Sequence, residues 1–175
     1  NSTLKLGQDD NLVLADSDGT VVWSTNTAGK SVSGLNMTEK GNLVLIDKAN
    51  RTIWQSFDHP TDSMLPGQSL VSGQKLTASV SATNQSRGFL SLINLNGTWA
   101  TYIDSDPPQY YYSPTSEEST NFGFYVEASL AEFMKLGPDG HLRVYRWNEK
   151  ALGFDDTADL LVTYAGNCGY PMVCG

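Results

Sequence analysis

Apolar and polar positions alternate in short bursts along this chain, and the bursts recur. Residues 4–23 read LKLGQDDNLVLADSDGTVVW and residues 35–54 read LNMTEKGNLVLIDKANRTIW, a constant offset of 31. Leu4, Asn11, Leu12, Val13, Leu14, Asp16 and Trp23 return as Leu35, Asn42, Leu43, Val44, Leu45, Asp47 and Trp54. A third copy, MKLGPDGHLRVY at 134–145, aligns with the first at an offset of 130, and a fourth, weaker one is read at 91–102 around Asn96-Gly97. Self-similarity at a fixed period marks an architecture assembled from one supersecondary unit.

Each copy spells a three-stranded meander. A strand at 4–6 meets a turn of Gly, Asp and Asn, a second strand follows at 11–15, and the polar turn Ser17-Asp18-Gly19 leads to a third at 20–24. Side chains alternate across a strand, so Leu12 and Leu14 share one face while Asn11, Val13 and Ala15 share the other. Leu43 and Leu45, then Leu142 and Val144, repeat the inward face. One meander is too small to bury its apolar side alone, so the copies are expected to pack about a common axis with Trp23 and Trp54 at its centre. The predicted fold is all-β with little helix. Only 127–136 (EASLAEFMKL) has helical composition, and its second half reads as strand because it begins the third copy.

Leu, Val, Ile and Phe number 40 of 175 residues, enough for a packed core and above the range of disordered chains. The longest aliphatic run, Leu43-Val44-Leu45-Ile46, is far too short for a membrane-spanning helix. The formal charge of -8 is uneven, with 7 basic and 8 acidic side chains in residues 1–100 against 4 and 11 in 101–175. An acidic chain without a basic patch does not suit nucleic acid. Two histidines and two cysteines leave little material for metal or nucleophile chemistry, so no metal, cofactor or catalytic group is assigned and the chain is not read as an enzyme. Asn-x-Ser/Thr triplets at Asn1, Asn36, Asn50, Asn84 and Asn96 exceed the chance expectation of about two, which points to glycosylation and an extracellular setting. The first residues are polar and show no leader, as in a mature or trimmed chain.

The NLVL tetrapeptides, their spacing of 31 and the terminal Trp resemble bulb-type (monocot mannose-binding, G-type) lectin domains. The run WQSFDHPTDSMLPGQ at 54–68 is similar to the signature that follows the first lectin domain in plant S-domain glycoproteins and receptor-like kinases, and CGYPMVCG at 168–175 is similar to the start of their EGF-like segment. This resemblance implies β-prism II-like units in tandem. A bulb-type lectin unit would occupy 1–58, a connector with the WQSFDHPTD stretch 59–75, a second, divergent lectin-like unit 76–165, and the start of an EGF-like module 166–175. The family has three subdomains per unit, and only two copies precede the WQSF stretch. The N-terminal third of the first unit is therefore expected to be missing, leaving an apolar face for a homodimer partner or a second chain to cover. In the family each of Cys168 and Cys174 would bond a later cysteine, whereas bonding to each other is also geometrically feasible.

The resemblance also implies a sugar site. The family pattern Q-x-D-x-N-x-V-x-Y lines up polar groups on one strand face to bind mannose hydroxyls, with Val against the ring. On the first copy it falls on Gly7, Asp9, Asn11, Val13 and Ala15; on the second, on Thr38, Lys40, Asn42, Val44 and Ile46; on the third, on Gly137, Asp139, His141, Arg143 and Tyr145. The matching residues are Asp9, Asn11, Val13, Asn42, Val44, Asp139 and Tyr145, and no copy is complete. A sugar held at about millimolar affinity has only about 4 kcal/mol of binding free energy, and losing two hydrogen bonds removes roughly 1–3 kcal/mol of it.

Two further stretches attract attention. His59 stands beside Asp58 and Asp62 without a nucleophile, and turn and packing roles for Trp54, Phe57, Pro60 and Pro66 suit that stretch better than acid–base work. The run 104–119 sets Tyr110, Tyr111 and Tyr112 beside Pro107-Pro108 and four acids; it is either contact surface for a sugar or peptide, or a connection with its tyrosines packed on a sheet. The function read from all this is extracellular recognition without catalysis, as in the ectodomain of an S-domain receptor-like kinase or related glycoprotein. The ligand would be a carbohydrate, a peptide or a small molecule. The alternative is a secreted mannose-binding lectin of weak, avidity-dependent affinity.

Overall fold

The computed structural model describes residues 1–113 and 132–165, so Cys168, Cys174 and the whole EGF-like stretch 166–175 lie outside the described residues. The chain divides into two compact units, 1–59 and 60–175. Both are built from short antiparallel strands, as the alternating pattern requires.

In the first unit, β1 (Thr3–Leu6), β2 (Leu12–Ala15) and β3 (Val21–Ser24) form one sheet in that order; β4 (Gly34–Met37), β5 (Leu43–Ile46) and β6 (Thr52–Gln55) form a second. The registers coincide: Leu4 faces Leu14 and Leu6 faces Leu12, as Leu35 faces Leu45 and Met37 faces Leu43. Even the bulge recurs, between Leu14 and Ala15 and between Leu45 and Ile46. A three-residue hairpin loop sets this register. The Gly7 N–H donates to the Asn11 carbonyl at 2.8 Å, with Asp10 in the left-handed region (φ 71°); Thr38, Asn42 and Gly41 (φ 80°) do the same in the second copy. Such a loop needs one residue that tolerates positive φ, and Gly or Asp serves.

The inward rows are only half covered. Leu12 is 2% and Leu45 0% exposed, but on the flanking strands Leu4 is 57% and Trp23 41% exposed. The expectation that both indoles plug the interior needs correction. Trp23 and Trp54 meet edge to face at 5.8 Å, and Trp54 stacks on His59 at 5.1 Å, yet Trp23 keeps much of its ring in water. Two ribbons present too few apolar side chains to close over an indole from every side.

In the second unit, β7 (Ser63–Met64), β12 (Glu132–Leu136), β13 (Leu142–Asn148) and β14 (Gly153–Asp159) make one sheet, in the order β14-β13-β12-β7. Between β7 and β12 in sequence come β8 (Lys75–Ser79), β9 (Arg87–Leu95), β10 (Thr98–Ile103) and β11 (Gln109–Tyr112), which form the other, ordered β11-β10-β9-β8. The short helix α1 (Leu160–Ala165) closes the described chain. The third repeat copy is β12–β13–β14, with Leu136 facing Leu142, Met134 facing Val144, and the same bulge between Val144 and Tyr145. The stretch read as a connector supplies β7, which pairs with β12. Leu76, Ala78, Leu90, Leu92 and Trp99 from one sheet cluster with Met64, Met134, Leu136 and Leu142 from the other.

The proposed fourth copy at 91–102 is corrected by the structure. It is the β9–β10 hairpin, with Leu95 facing Thr98 across a two-residue turn in which Asn96 (φ 54°) and Gly97 (φ 91°) are both left-handed. Asn-Gly is the preferred pair for that tight turn, whereas the repeat uses a three-residue loop. The tyrosine run packs on its sheet as β11: Tyr112 lies 4.9 Å from Trp99, and the Tyr111 hydroxyl donates to the Gly140 carbonyl at 3.0 Å. Burial pushes the Tyr111 phenol up to about 12.

Candidate functional site

The polar strand face of the repeat is where the sequence places ligand chemistry, and its three copies share one local geometry. In the first, Thr25 lies just beyond β3. Its hydroxyl accepts the Leu12 N–H at 3.1 Å and donates to Asn11 Oδ1 at 3.1 Å, and that oxygen also accepts the Thr27 N–H at 3.1 Å. In the second, the Ser56 hydroxyl accepts the Leu43 N–H at 3.0 Å and donates to Asn42 Oδ1 at 3.1 Å, which also accepts the Phe57 N–H at 3.2 Å. Asn42 Nδ2 completes the set by donating to Gln55 Oε1 at 2.9 Å. Each carboxamide oxygen therefore fastens the chain leaving the third strand onto the second strand.

The third copy reaches the same end with different chemistry. His141 stands where the others have Asn, is fully buried, and its Nδ1 pairs with the Asp159 carboxylate. The other Asp159 oxygen accepts the N–H groups of Leu161 (3.1 Å) and Val162 (3.2 Å), which makes it the N-cap of α1.

The aspartates of the pattern are turn caps. Asp9 Oδ1 accepts the Asn11 N–H at 3.3 Å, and Asp139 Oδ1 accepts the His141 N–H at 3.2 Å; in the second copy Thr38 Oγ1 accepts the Asn42 N–H at 3.0 Å. In this posture the carboxylate lies over the residue two places earlier. A Cβ on Gly7 would stand 2.3 Å from Asp9 Oδ1, and one on Gly137 would stand 2.5 Å from Asp139 Oδ1. Those glycines hold the Gln position of the pattern, and a side chain there would need the carboxylate to move aside.

The remaining positions separate. Val44 is buried at 8% exposure and Val13 is half-buried. Tyr145 stacks on Phe133 at 5.0 Å. Arg143, at the Val position of the third copy, grips Asp139 through both terminal nitrogens, at 3.0 and 2.6 Å, and approaches Asp156 at 3.3 Å. Burial alone would raise the Asp139 carboxyl, but hydrogen bonds from Arg143 and the His141 N–H, with the guanidinium charge, hold it below the usual carboxylate value. Hydrogen bonding to Asp139 in turn raises Arg143, outweighing its desolvation.

Sequence reasoning missed the hydroxyl partners. Their signal was present, since Thr25 and Ser56 are also 31 apart, two residues past the tryptophans. Around His59 the packing reading suits the contacts: His59 stacks on Trp54 and Asp58 accepts from Gln55 at 3.0 Å, while Asp62 pairs with Lys135 at 3.2 Å. Among the described residues, no group of three or more His, Cys, Asp or Glu is placed to hold a metal.

Repeated ribbons, each fastened by a side chain at a ligand-pattern position, define a lectin-like binding scaffold. Residues 1–87 match the family model described as D-mannose binding lectin. EP1-like glycoprotein 4 of Arabidopsis thaliana is 42% identical over 78% of this chain and 29% of its own length. A G-type lectin S-receptor-like serine/threonine-protein kinase of the same plant is 36% identical over 99% of this chain and 26% of its own. The chain carries a bulb-type lectin segment of the plant S-domain class, and spans less than a third of either relative. Among solved structures, the mannose-specific agglutinin from snowdrop (Galanthus nivalis) bulbs with methyl-α-D-mannoside is 24% identical over 70% of this chain and 82% of that one, at a TM-score of 0.29.

Two outcomes follow from the hydrogen bonding. Asn42→Ala should lower stability by about 1–3 kcal/mol in urea unfolding, because three hydrogen bonds go, while Asp9→Ala, at an exposed turn, should stay within about 1 kcal/mol of the parent. The second concerns acid. A carboxyl lowered in the folded state stabilises fully above its unfolded value, about 3.9, and loses that contribution as pH falls through the native value. Arg143→Gln should therefore flatten the loss of stability below about pH 4, and an acid limb as steep as the parent's would contradict the assignment.

Proposed function

We propose that this chain is a non-catalytic extracellular recognition segment whose lectin repeats serve chiefly as scaffold, with a peptide, protein or small-molecule ligand taken elsewhere than on the mannose pattern. The observation that carries this reading is the engagement of Asn11 Oδ1 and Asn42 Oδ1 inside the fold, since an acceptor already holding two donors has little left for a sugar hydroxyl. The domain division 1–58, 59–75, 76–165 and 166–175 belongs to the same proposal, with β7 of the connector serving the second unit.

A second reading has a specific point in its favour. Asp9 is exposed, and the first copy keeps Asp9, Asn11 and Val13. On that reading weak mannose binding is raised to useful strength by several copies acting together. Glycan arrays with the immobilised, dimerised protein separate the two. No mannose-specific signal is expected; a mannose signal abolished by Asp9→Ala would overturn the scaffold reading.

All five sequon asparagines are exposed, which supports glycosylation and an extracellular site of action. Among the described residues no helix is long and apolar enough to cross a membrane. Leu4, Trp23, Leu35 and Met37 are large apolar side chains left exposed on the first unit, and a second copy or another chain would gain by covering them. Native mass spectrometry of the secreted protein, before and after deglycosylation, reads both points. The expected results are a stepwise mass loss and a complex larger than one chain; an unchanged mass or a monomer at micromolar concentration would count against the respective claim.

A further inference from the structure

The second unit holds a cleft that the repeat does not build. The segment from Pro60 to Met64 passes between the two sheets: the Thr77 N–H on β8 donates to the Thr61 carbonyl at 2.8 Å, and the Leu136 N–H on β12 donates to the Asp62 carbonyl at 2.8 Å. Beside this bridge opens a cavity of about 530 Å³, within the usual range for small-ligand sites. Its polar lining is Thr61, Lys75, Thr77, Ser79, Gln85 and Arg87, which give hydroxyls, one amide and two cations beside the apolar Pro60 and Ala78.

The charges are unequal. Asp62, also on the wall, is neutralised by Lys135 at 3.2 Å and accepts the Ser63 hydroxyl at 2.8 Å. Lys75 and Arg87 converge on a single oxygen, Asp104 Oδ2, at 3.2 and 3.4 Å, both at the long end for a charge-assisted bond. Lys75 Nζ also donates to the Tyr102 hydroxyl at 2.9 Å, which fixes its position, while the Arg87 side chain is 64% exposed. Two cations sharing one carboxylate oxygen leave an excess positive charge at the cleft, in a chain of net charge -8. A guanidinium is suited to take a second carboxylate on its fork.

We propose that this cleft binds an acidic saccharide, with the carboxylate of a uronate residue held by Arg87 and Lys75. The Thr61, Thr77 and Ser79 hydroxyls already bond Asp62, Ser91 and Ser81 but keep lone pairs that accept from ring hydroxyls, as does the Gln85 carboxamide oxygen, whose Nε2 is held by the Ala82 carbonyl. The hydroxyl-rich wall selects a sugar over an acidic peptide, and the paired cations select a uronate over a neutral hexose. The site lies outside the repeat's polar strand positions, so it stands whichever reading of the mannose pattern holds.

Calorimetric titration of the whole chain with trigalacturonate, its methyl ester, mannotriose and triglutamate tests this. Trigalacturonate should bind saturably, more weakly as salt rises, and the methyl ester about tenfold or more worse. Arg87→Gln should cause a similar loss and leave the thermal unfolding midpoint unchanged, because the side chain is exposed; any weak mannotriose signal should be untouched. Lack of saturable trigalacturonate binding, equal affinity for acid and ester, or full affinity in Arg87→Gln would overturn the proposal. Triglutamate binding as tightly as trigalacturonate would overturn the saccharide assignment.

Discussion

A side chain that fastens the outgoing chain to the middle strand holds each ribbon of this protein together. Asn11 with Thr25, Asn42 with Ser56, and His141 with Asp159 perform that task three times. A three-stranded meander four residues wide buries little area, and its ends would fray without an internal tie. The tie also satisfies the backbone N–H groups of Leu12 and Leu43, which begin their strands. The third copy shows that the requirement lies in the bond more than in the residue, because an imidazole–carboxylate pair replaces an amide–hydroxyl pair at the same place.

That constraint bears directly on recognition. A carboxamide oxygen that already accepts two donors within the fold contributes little to a ligand. Arg143 carries the point further by closing on Asp139. On the scaffold reading the paired carboxamides of the polar face are architecture, while Asp9 stays exposed; other groups facing water are the exposed apolar side chains of the first unit and Arg87 in the cleft of the second.

Much of the fold was legible in the chain. The 31-residue spacing predicted the two meanders of the first unit, and the shared Leu–Leu registers and bulges follow because side-chain alternation and a loop with one left-handed residue leave a single low-energy pairing. The third copy was legible at an offset of 130 for the same reason. Asn96-Gly97 was recognised as punctuation but assigned to the wrong turn, since both its residues adopt positive φ. The site was less legible. Asp9, Asn11 and Asn42 were identified by pattern, but identity alone does not say which way a carboxamide points.

Sequence alone settled what depends on neighbours within a few residues: strands, hairpin loops, the inward leucines and the exposed sequon asparagines. Tertiary structure decided what depends on partners far apart in the chain. β7 joins β12 some seventy residues later, Lys75 and Arg87 meet at Asp104, and Thr25 reaches back across a strand to claim Asn11. The physical reason is directional. Burial follows from periodicity, which a chain displays openly, whereas a hydrogen bond forms only where geometry brings donor and acceptor together.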